Sequence, residues 1–519
     1  MNRSIWLVTL SAVLWGQPQS EEKEIEPPGR VARLSFIDGN VSFQAASTAD
    51  WAPAQTNRPL TNGDRLYTEP RSRAELNTGT AAYRVAPSTG VNVDQLDDSF
   101  TRIIITEGAV HFRVKQLEDN ESIEIDTPNG TVQVNRPGEY RVNVFGPDRS
   151  EAIVYVGELR VNGTNLGPRR AAAMNGQDGR LEFALSMPAR DNFDQWSEAR
   201  DRLADRSESA RYVSPGTIGS EDLDANGEWL DAPEYGRVWR PRAVAADWAP
   251  YRYGHWAWVA PWGWTWVDDA SWGFAPFHYG RWAYYRDSWC WVPGPRAVRA
   301  VYAPALVSFH IGGLSVGIGV APVRWVPLGP GEVWAPGFRA TPRYWERANV
   351  NNTTIVNKTV INNYYTNVRT NNVENINRNT YVNQNAPRAV TAVSRENFSN
   401  ARPVHRSMVE SGQPAVSPRS STPAPAVAND NRAVGRQDRP QDRQQQQPQQ
   451  RQQQAQAPAA VQPRQEIHAT PDPTRAARSG STDRPAQRPP EHIARENVRP
   501  SHVENKENRP ARGERKQDK

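Results

Sequence analysis

Between Arg30 and about Gly179 the chain alternates short β-branched runs with Gly, Pro, Asn and Asp at intervals of roughly 8 to 12 residues, the layout of an all-β sandwich or barrel. The runs predict strands at 31–43, 73–76, 102–105, 110–114, 122–125, 131–134, 140–144, 152–156 and 159–161. No helical period interrupts them. The breaks are informative too: Asp38-Gly39, Asn62-Gly63-Asp64, Thr78-Gly79, Asn129-Gly130 and Asn162-Gly163 supply the positive φ that hairpin turns require.

At 188–212 the pattern changes to that of a helix. Phe193, Trp196, Ala199 and Leu203 recur three or four apart with charges between them, which predicts a helical spacer laying one apolar stripe against a β domain. From Trp239 to Trp291 the period of two returns with larger side chains. These 53 residues hold eleven of the nineteen tryptophans, at alternate positions in Trp256-Ala257-Trp258, Trp262-Gly263-Trp264-Thr265-Trp266 and Trp289-Cys290-Trp291. On a pleated strand that spacing gathers the rings on one face, whereas a helix would scatter them. The stretch from Trp248 to Trp258 is echoed 26 residues on from Phe274 to Tyr284, and Tyr235-Gly236-Arg237-Val238-Trp239 precedes both. Each copy predicts a hairpin, so a compact aromatic β module is expected.

The expected class is therefore mainly β: a sandwich or barrel at 30–180, a spacer helix at 188–212 and a Trp- and Tyr-rich hairpin module at 213–345. An Asn-rich extension follows at 346–385, suited either to a strand with Asn ladders or to an unpaired polar segment. From 386 to 519 Phe398 is the one aromatic residue among Pro, Gln, Arg and Ser, a composition too poor in apolar surface to offset ordering entropy. That tail reads as disordered.

Charge follows the same division. The tail carries 23 Lys and Arg against 14 Asp and Glu, a net +9 in a chain of net +5, which leaves about −4 for the preceding 385 residues. Contact between the tail and an anionic surface, such as lipid headgroups or acidic polymer, is what this charge suggests. At the other end, Arg3 followed by the apolar run Ile5 to Leu14 and then small and polar residues has the layout of a secretory signal peptide over 1–20. The run is about half the roughly 20 residues of a membrane-spanning helix. Export to the periplasm or cell envelope is expected, and with it no nucleic-acid partner. Cys290 is the single cysteine, expected as a buried small residue between two indoles.

Five motifs fall in an order known from one family: Gly39-Asn40-Val41, Leu60 through Leu66, Ile105 through Phe112, Thr127 through Val132, and Tyr155 through Leu159. On these residues the first domain resembles FecR domains. FecR proteins are periplasmic sensors that relay the state of an outer-membrane receptor to a sigma factor, so the resemblance implies a β fold and a periplasmic setting. The relay also needs a cytoplasmic segment and a membrane helix ahead of the β domain, which the residues before Arg30 do not show. The stretch from Tyr212 to Tyr365, through Pro233 to Trp239, the hairpin copies, Gly312 to Val320 and Trp325 to Trp334, resembles an uncharacterised Trp- and Tyr-rich family that often follows FecR domains in exported bacterial proteins. No activity comes with that family.

Candidate chemistry is sparse. Asp222-Leu223-Asp224-Ala225-Asn226-Gly227 copies the first half of an EF-hand loop, but Pro233 stands where the bidentate Glu belongs, so an acidic turn is expected and no metal or cofactor. His255 and His278 occupy non-equivalent places in the two copies, opposite Arg281 and Arg252, and are expected in cation–π contact with neighbouring rings. No carboxylate pair suggests catalysis, and a polysaccharide-processing enzyme is the remotest reading. The indoles remain. Most should form the core, yet Trp256, Trp258, Trp262, Trp264, Trp266, Trp282, Trp289 and Trp291 are candidates for a surface that binds cell-wall glycan or an envelope protein. The leading expectation is a non-enzymatic envelope binding or scaffolding protein; a FecR-like sensor acting with a membrane partner is the alternative.

Overall fold

The computed structural model describes residues 24–310, 322–354, 360–363, 366 and 381–409. The expected signal peptide and the part of the expected tail beyond 409 lie outside the described residues. Among the described residues no helix is long and apolar enough to cross a membrane.

The fold is mainly β. The first domain is built around one long strand, Phe100–Val114, where the sequence predicted two separate strands. Gly108, at φ +85°, lets the chain bend within it, and a Cβ there would collide with Thr89. Before the bend the strand pairs antiparallel with Thr89–Leu96 and parallel with Ser122–Thr127. After the bend it pairs with Ala81–Val85 and Gly138–Val144. Two sheets thus share this strand in a 17-stranded arrangement that closes into no barrel. Inward residues of both, such as Leu34, Tyr83, Phe112 and Tyr140 from one and Leu66, Val93, Ile103 and Ile125 from the other, form a single core.

Several other expectations about strands change. The run 31–43 turns at Gly39 (φ +80°) into Ala32–Asp38 and Val41–Gln44. Asp64–Thr68 and Arg170–Asn175 are strands that composition did not show. The second is Arg-Ala-Ala-Ala-Met-Asn, poor in β-forming residues, and it is a strand because it pairs with Arg149–Val156 and buries its alanines.

Helix Asn192–Asp205 starts with a capping box, in which the Asp191 side chain accepts from the Asp194 N–H and the Asp194 side chain accepts from the Asp191 N–H. The expected apolar stripe docks only at its start, where half-buried Phe193 and Trp196 pack on His111 and Phe36 of the first domain. Asp194, Ser197 and Asp201 are the buried positions, whereas Ala199 and Leu203 are exposed. The reason lies in the sheet beneath, whose outer face carries a rung of Glu75, Arg84, His111 and Arg141 on neighbouring strands. Acidic and arginine side chains of the helix satisfy that surface. Arg84 pairs with Glu75 and Asp201 at 2.8 Å each, Arg200 with Glu75 at 2.7 Å and Arg141 with Asp194 at 3.0 Å.

The Trp-rich region forms three small sheets on a second core. In the four-stranded one, each strand contributes an indole to one cross-strand rung: Trp229 opposite Trp239, Trp239 opposite Trp291, and Trp291 opposite Trp282. Neighbouring small residues make room for these rings; a Cβ on Gly227 would enter the Trp239 indole. Strands Gly254–Val259 and Gly263–Asp268 form a separate two-stranded ribbon. The two sequence copies differ in setting: Ala275–His278 is a one-turn helix in the second, the matching residues of the first are not helical, and the strands that follow belong to different sheets.

The extension and the start of the tail also differ from expectation. Helix Pro342–Val350 opens the Asn-rich segment, of which 355–359, 364–365 and 367–380 lie outside the described residues, and Asn349, Asn352 and Asn383 act as staples. Asn349 bonds Trp334 at both N and O and accepts from Arg281, while Asn352 donates to Val301 O and Asn383 to Trp282 O and Pro327 O. Residues 386–409, read as disordered, include strand Thr391–Val393, which completes the three-stranded sheet with Val307–His310 and Val323–Pro327. Phe398 then packs on Trp256 and Trp264, at centroid distances of 5.5 and 4.6 Å. Ala389, Val393, Phe398 and Val404 enter the aromatic core and so order a stretch that composition alone left unstructured.

Candidate functional site

In the two-stranded ribbon Trp256 stands opposite Trp266 and Trp258 opposite Trp264. All four indoles therefore share one face, as the period of two predicts. The two ends of that face have different fates. Trp256 and Trp266 are sealed against Trp325, Phe309 and Tyr251. Trp264 is half-buried beside Phe398, and Trp258, next to the turn, is 62% exposed. Trp262, Trp282, Trp289 and Trp291 are buried in the core. Of the eight candidate rings, Trp258 alone is open to a partner.

Trp258 forms one wall of a cleft of about 280 Å³ between the ribbon's turn and loops of the first domain. The turn contributes Val259, Ala260, Pro261 and Trp262; the first domain contributes residues 45–47, Arg58, Thr61, Asn62 and Asp64, with Arg30 and Leu96 below. The turn holds its shape through Gly263, whose φ of +79° suits glycine and over which the Trp258 ring lies. Asp64 spends both oxygens on backbone, accepting from Ala46 N and Thr61 N at 2.9 Å each. Burial pushes its carboxyl above the usual range despite those bonds. Arg30 donates to Asp97 O and to Glu121. Arg58 lies over the Phe43 ring, 4.4 Å from its centroid, and makes no ion pair among the described residues. Burial draws its guanidinium below the usual arginine range, with Asp64 acting in the opposite direction.

The first domain and the ribbon meet along a buried polar seam. Asn57, fully buried at φ +66°, donates to Asp268 O and Ala270 O and accepts from Arg33. Arg33 reaches Ser271 O and the Asp222 carboxylate. Asp222, the first residue of the EF-hand-like run, is thus spent on an arginine, and Asp224 accepts from the N–H groups of Glu208 and Ser209. Sequence reasoning had no means of finding this seam, since its partners lie some 200 positions apart in the chain.

For His278 and Arg281 the expected cation–π contact is corrected, although the His278 ring does lie against Phe274 and Tyr302. Burial pushes His278 down to about 3, so the ring is neutral, and its Nδ1–H donates to Ala303 O. Arg281 spends its guanidinium on the carbonyls of Glu332 and Gly280 and on Asn349. In this dry core a carbonyl cradle compensates the buried charge better than ring faces do. Cys290 is buried, and burial raises its thiol to about 11.

Residues 220–332 match a family described as "Family of unknown function (DUF6600)". The match starts at the edge of the seam and includes the ribbon and the four-stranded sheet that carries the indole rung. No curated protein matches the chain. Two solved structures of a proposed anti-sigma factor from Parabacteroides distasonis ATCC 8503 resemble part of it, at 14% and 13% identity and a TM-score of 0.22. The likeness spans 24% of this chain and 60% of that protein.

Proposed function

We propose that the chain is a non-enzymatic binding and scaffolding protein of the cell envelope, with Trp258 and the cleft beneath it as its contact surface. One observation carries this reading: in a ribbon whose other indoles are wholly or partly covered, Trp258 is turned outward at the mouth of a cleft. A solvent-facing indole beside a concave, partly polar lining is a binding arrangement. Cell-wall glycan or another envelope protein is the partner class, and export by the segment at 1–20 brings the chain to it. The basic residues beyond 409 add contact with an anionic surface. Asp64 is the single carboxylate in the cleft lining and is held by backbone N–H groups, which favours binding over the two-carboxylate chemistry of glycan hydrolysis.

Retention of the purified chain on insoluble envelope glycan tests the reading. Trp258→Ala is expected to lose retention while keeping its melting temperature. Full retention by that variant would refute the assignment.

A second reading, a FecR-like sensor relaying a signal to a membrane partner, is favoured by the Arg33–Asn57 seam. A ligand in the cleft would touch both the first domain and the ribbon, and the seam joins the two rigidly. Co-purification of a membrane protein that depends on Asn57 would support it.

A further inference from the structure

We infer that the cleft recognises a carboxylated sugar, a uronic-acid residue at the end or edge of an acidic glycan, with Arg58 receiving the carboxylate and Trp258 the ring. This rests on the reading of the Trp258 cleft as the contact surface and names its ligand class.

Arg58 lacks a counter-ion among the described residues. The buried arginines each hold acceptors, Arg33 on Asp222 and Asn57, Arg84 on Glu75 and Asp201 though its Nη1 has none, Arg30 on Asp97 O and Glu121, and Arg281 on carbonyls and Asn349. Arg58 lines the cleft, yet its Nε is buried with no protein acceptor, and Asp64, the acid nearest in the lining, is occupied by backbone donors. Its guanidinium is held from behind by the Phe43 ring, so the fork is positioned without being consumed. A guanidinium fork matches a carboxylate in two parallel hydrogen bonds, and the pair strengthens where water is partly excluded.

Trp258 supplies the second half. Its exposed flat face suits the C–H side of a pyranose, whose weakly positive hydrogens meet the electron-rich indole. At about 280 Å³ the cleft is at the small end of ligand sites, enough for one sugar ring and its substituent rather than a buried chain. A neutral sugar would leave Arg58 unpaired, and a bare inorganic anion would leave Trp258 unused. A uronic acid satisfies both.

The test is a calorimetric titration of the full chain with trigalacturonate and with the neutral cellotriose, repeated on Arg58→Gln, Arg58→Lys and Trp258→Ala, each checked by its melting temperature. Trigalacturonate is expected to bind the parent at least tenfold more tightly than cellotriose. Arg58→Gln should remove that preference, leaving the two sugars equal, and Arg58→Lys should restore part of it, since charge returns without the fork. Trp258→Ala should weaken both sugars. If the parent binds both sugars equally and Arg58→Gln changes neither, the carboxylate inference is overturned while the glycan surface stands. If neither sugar binds the folded parent, the inference and the glycan reading fall together.

Discussion

Trp258 and Trp264 face each other across the ribbon with ring centroids 5.5 Å apart and planes at 89°, and the boundary between aromatic core and solvent runs between them. Trp264 leans on Phe398, but Trp258 has only the glycine turn beneath it. One face of one hairpin thus holds core rings at one end and a contact residue at the other.

The two ends should respond differently to truncation. Trp256→Ala or Trp266→Ala removes a fully buried indole and is expected to destabilise the fold by about 3–5 kcal/mol. Trp258→Ala should cost less than about 1 kcal/mol, as surface substitutions do. Chemical denaturation midpoints measure both; a large loss for Trp258→Ala would show that its ring is structural.

The docking of residues 391–409 on the aromatic core through Val393, Phe398 and Val404 predicts a sharp truncation boundary. A chain ending at 409 should melt at the parent temperature. A chain ending at 387 loses strand Thr391–Val393 and Phe398, exposes Trp256 and Trp264, and should melt well below it. Thermal melts of the two truncations decide the matter.

Asn57 ties the first domain to the ribbon, and Asn57→Ala leaves two carbonyls and the Arg33 guanidinium short of partners. A loss of about 1–3 kcal/mol per unsatisfied group is expected. Calorimetry should show the parent unfolding in one transition and the variant in two, because the two cores then lose their link. A single unchanged transition would deny the seam its coupling role.

Docking of helix Asn192–Asp205 should depend on pH. The buried His111 ring places Nδ1 3.0 Å from Asp194 and Nε2 3.2 Å from Glu139, with Arg141, Arg190 and Tyr155 around it. Burial opposes the charged ring, but the two carboxylates outweigh it and hold His111 above its usual value. A raised folded value gives stability that is complete below the unfolded value of about 6.5 and lost as pH rises through the folded one. Burial likewise opposes the charged form of Glu139, but His111 and Arg190 draw it down to about 2, and His111 with the Asp191 N–H and Arg141 draws Asp194 well below the carboxylate range. That contribution is present above about 4 and fades as pH falls towards the folded values. Helix protection in hydrogen exchange should therefore peak in mildly acidic buffer, and His111→Gln should abolish the decline on the alkaline side.

Much of the architecture is legible in the sequence because it follows from local period. Alternation of indoles with small residues placed strands in the Trp-rich region with their rings on one face, and Gly-containing dipeptides marked turns such as Gly39, Gly63 and Gly163, all at positive φ. What escaped has a common cause, pairing across long sequence distance. The helix stripe places Phe193 and Trp196 on the domain, yet a charged rung assembled from four strands buries Asp194, Ser197 and Asp201 beside them and leaves Leu203 outside. Phe398 looks isolated until the Trp256 ribbon receives it. Trp258 differs from Trp256 in nothing that neighbouring residues reveal; its exposure follows from where the ribbon ends. Arg58 is one arginine among many until its lack of a counter-ion is visible.

The most direct test is hydroxyl-radical footprinting of the full chain with and without an envelope glycan fraction. Protection concentrated at Trp258, at residues 45–47 and around Arg58 is the predicted result. Unchanged labelling of Trp258, with protection appearing instead at other exposed rings such as Phe145 and Phe183, would contradict the account.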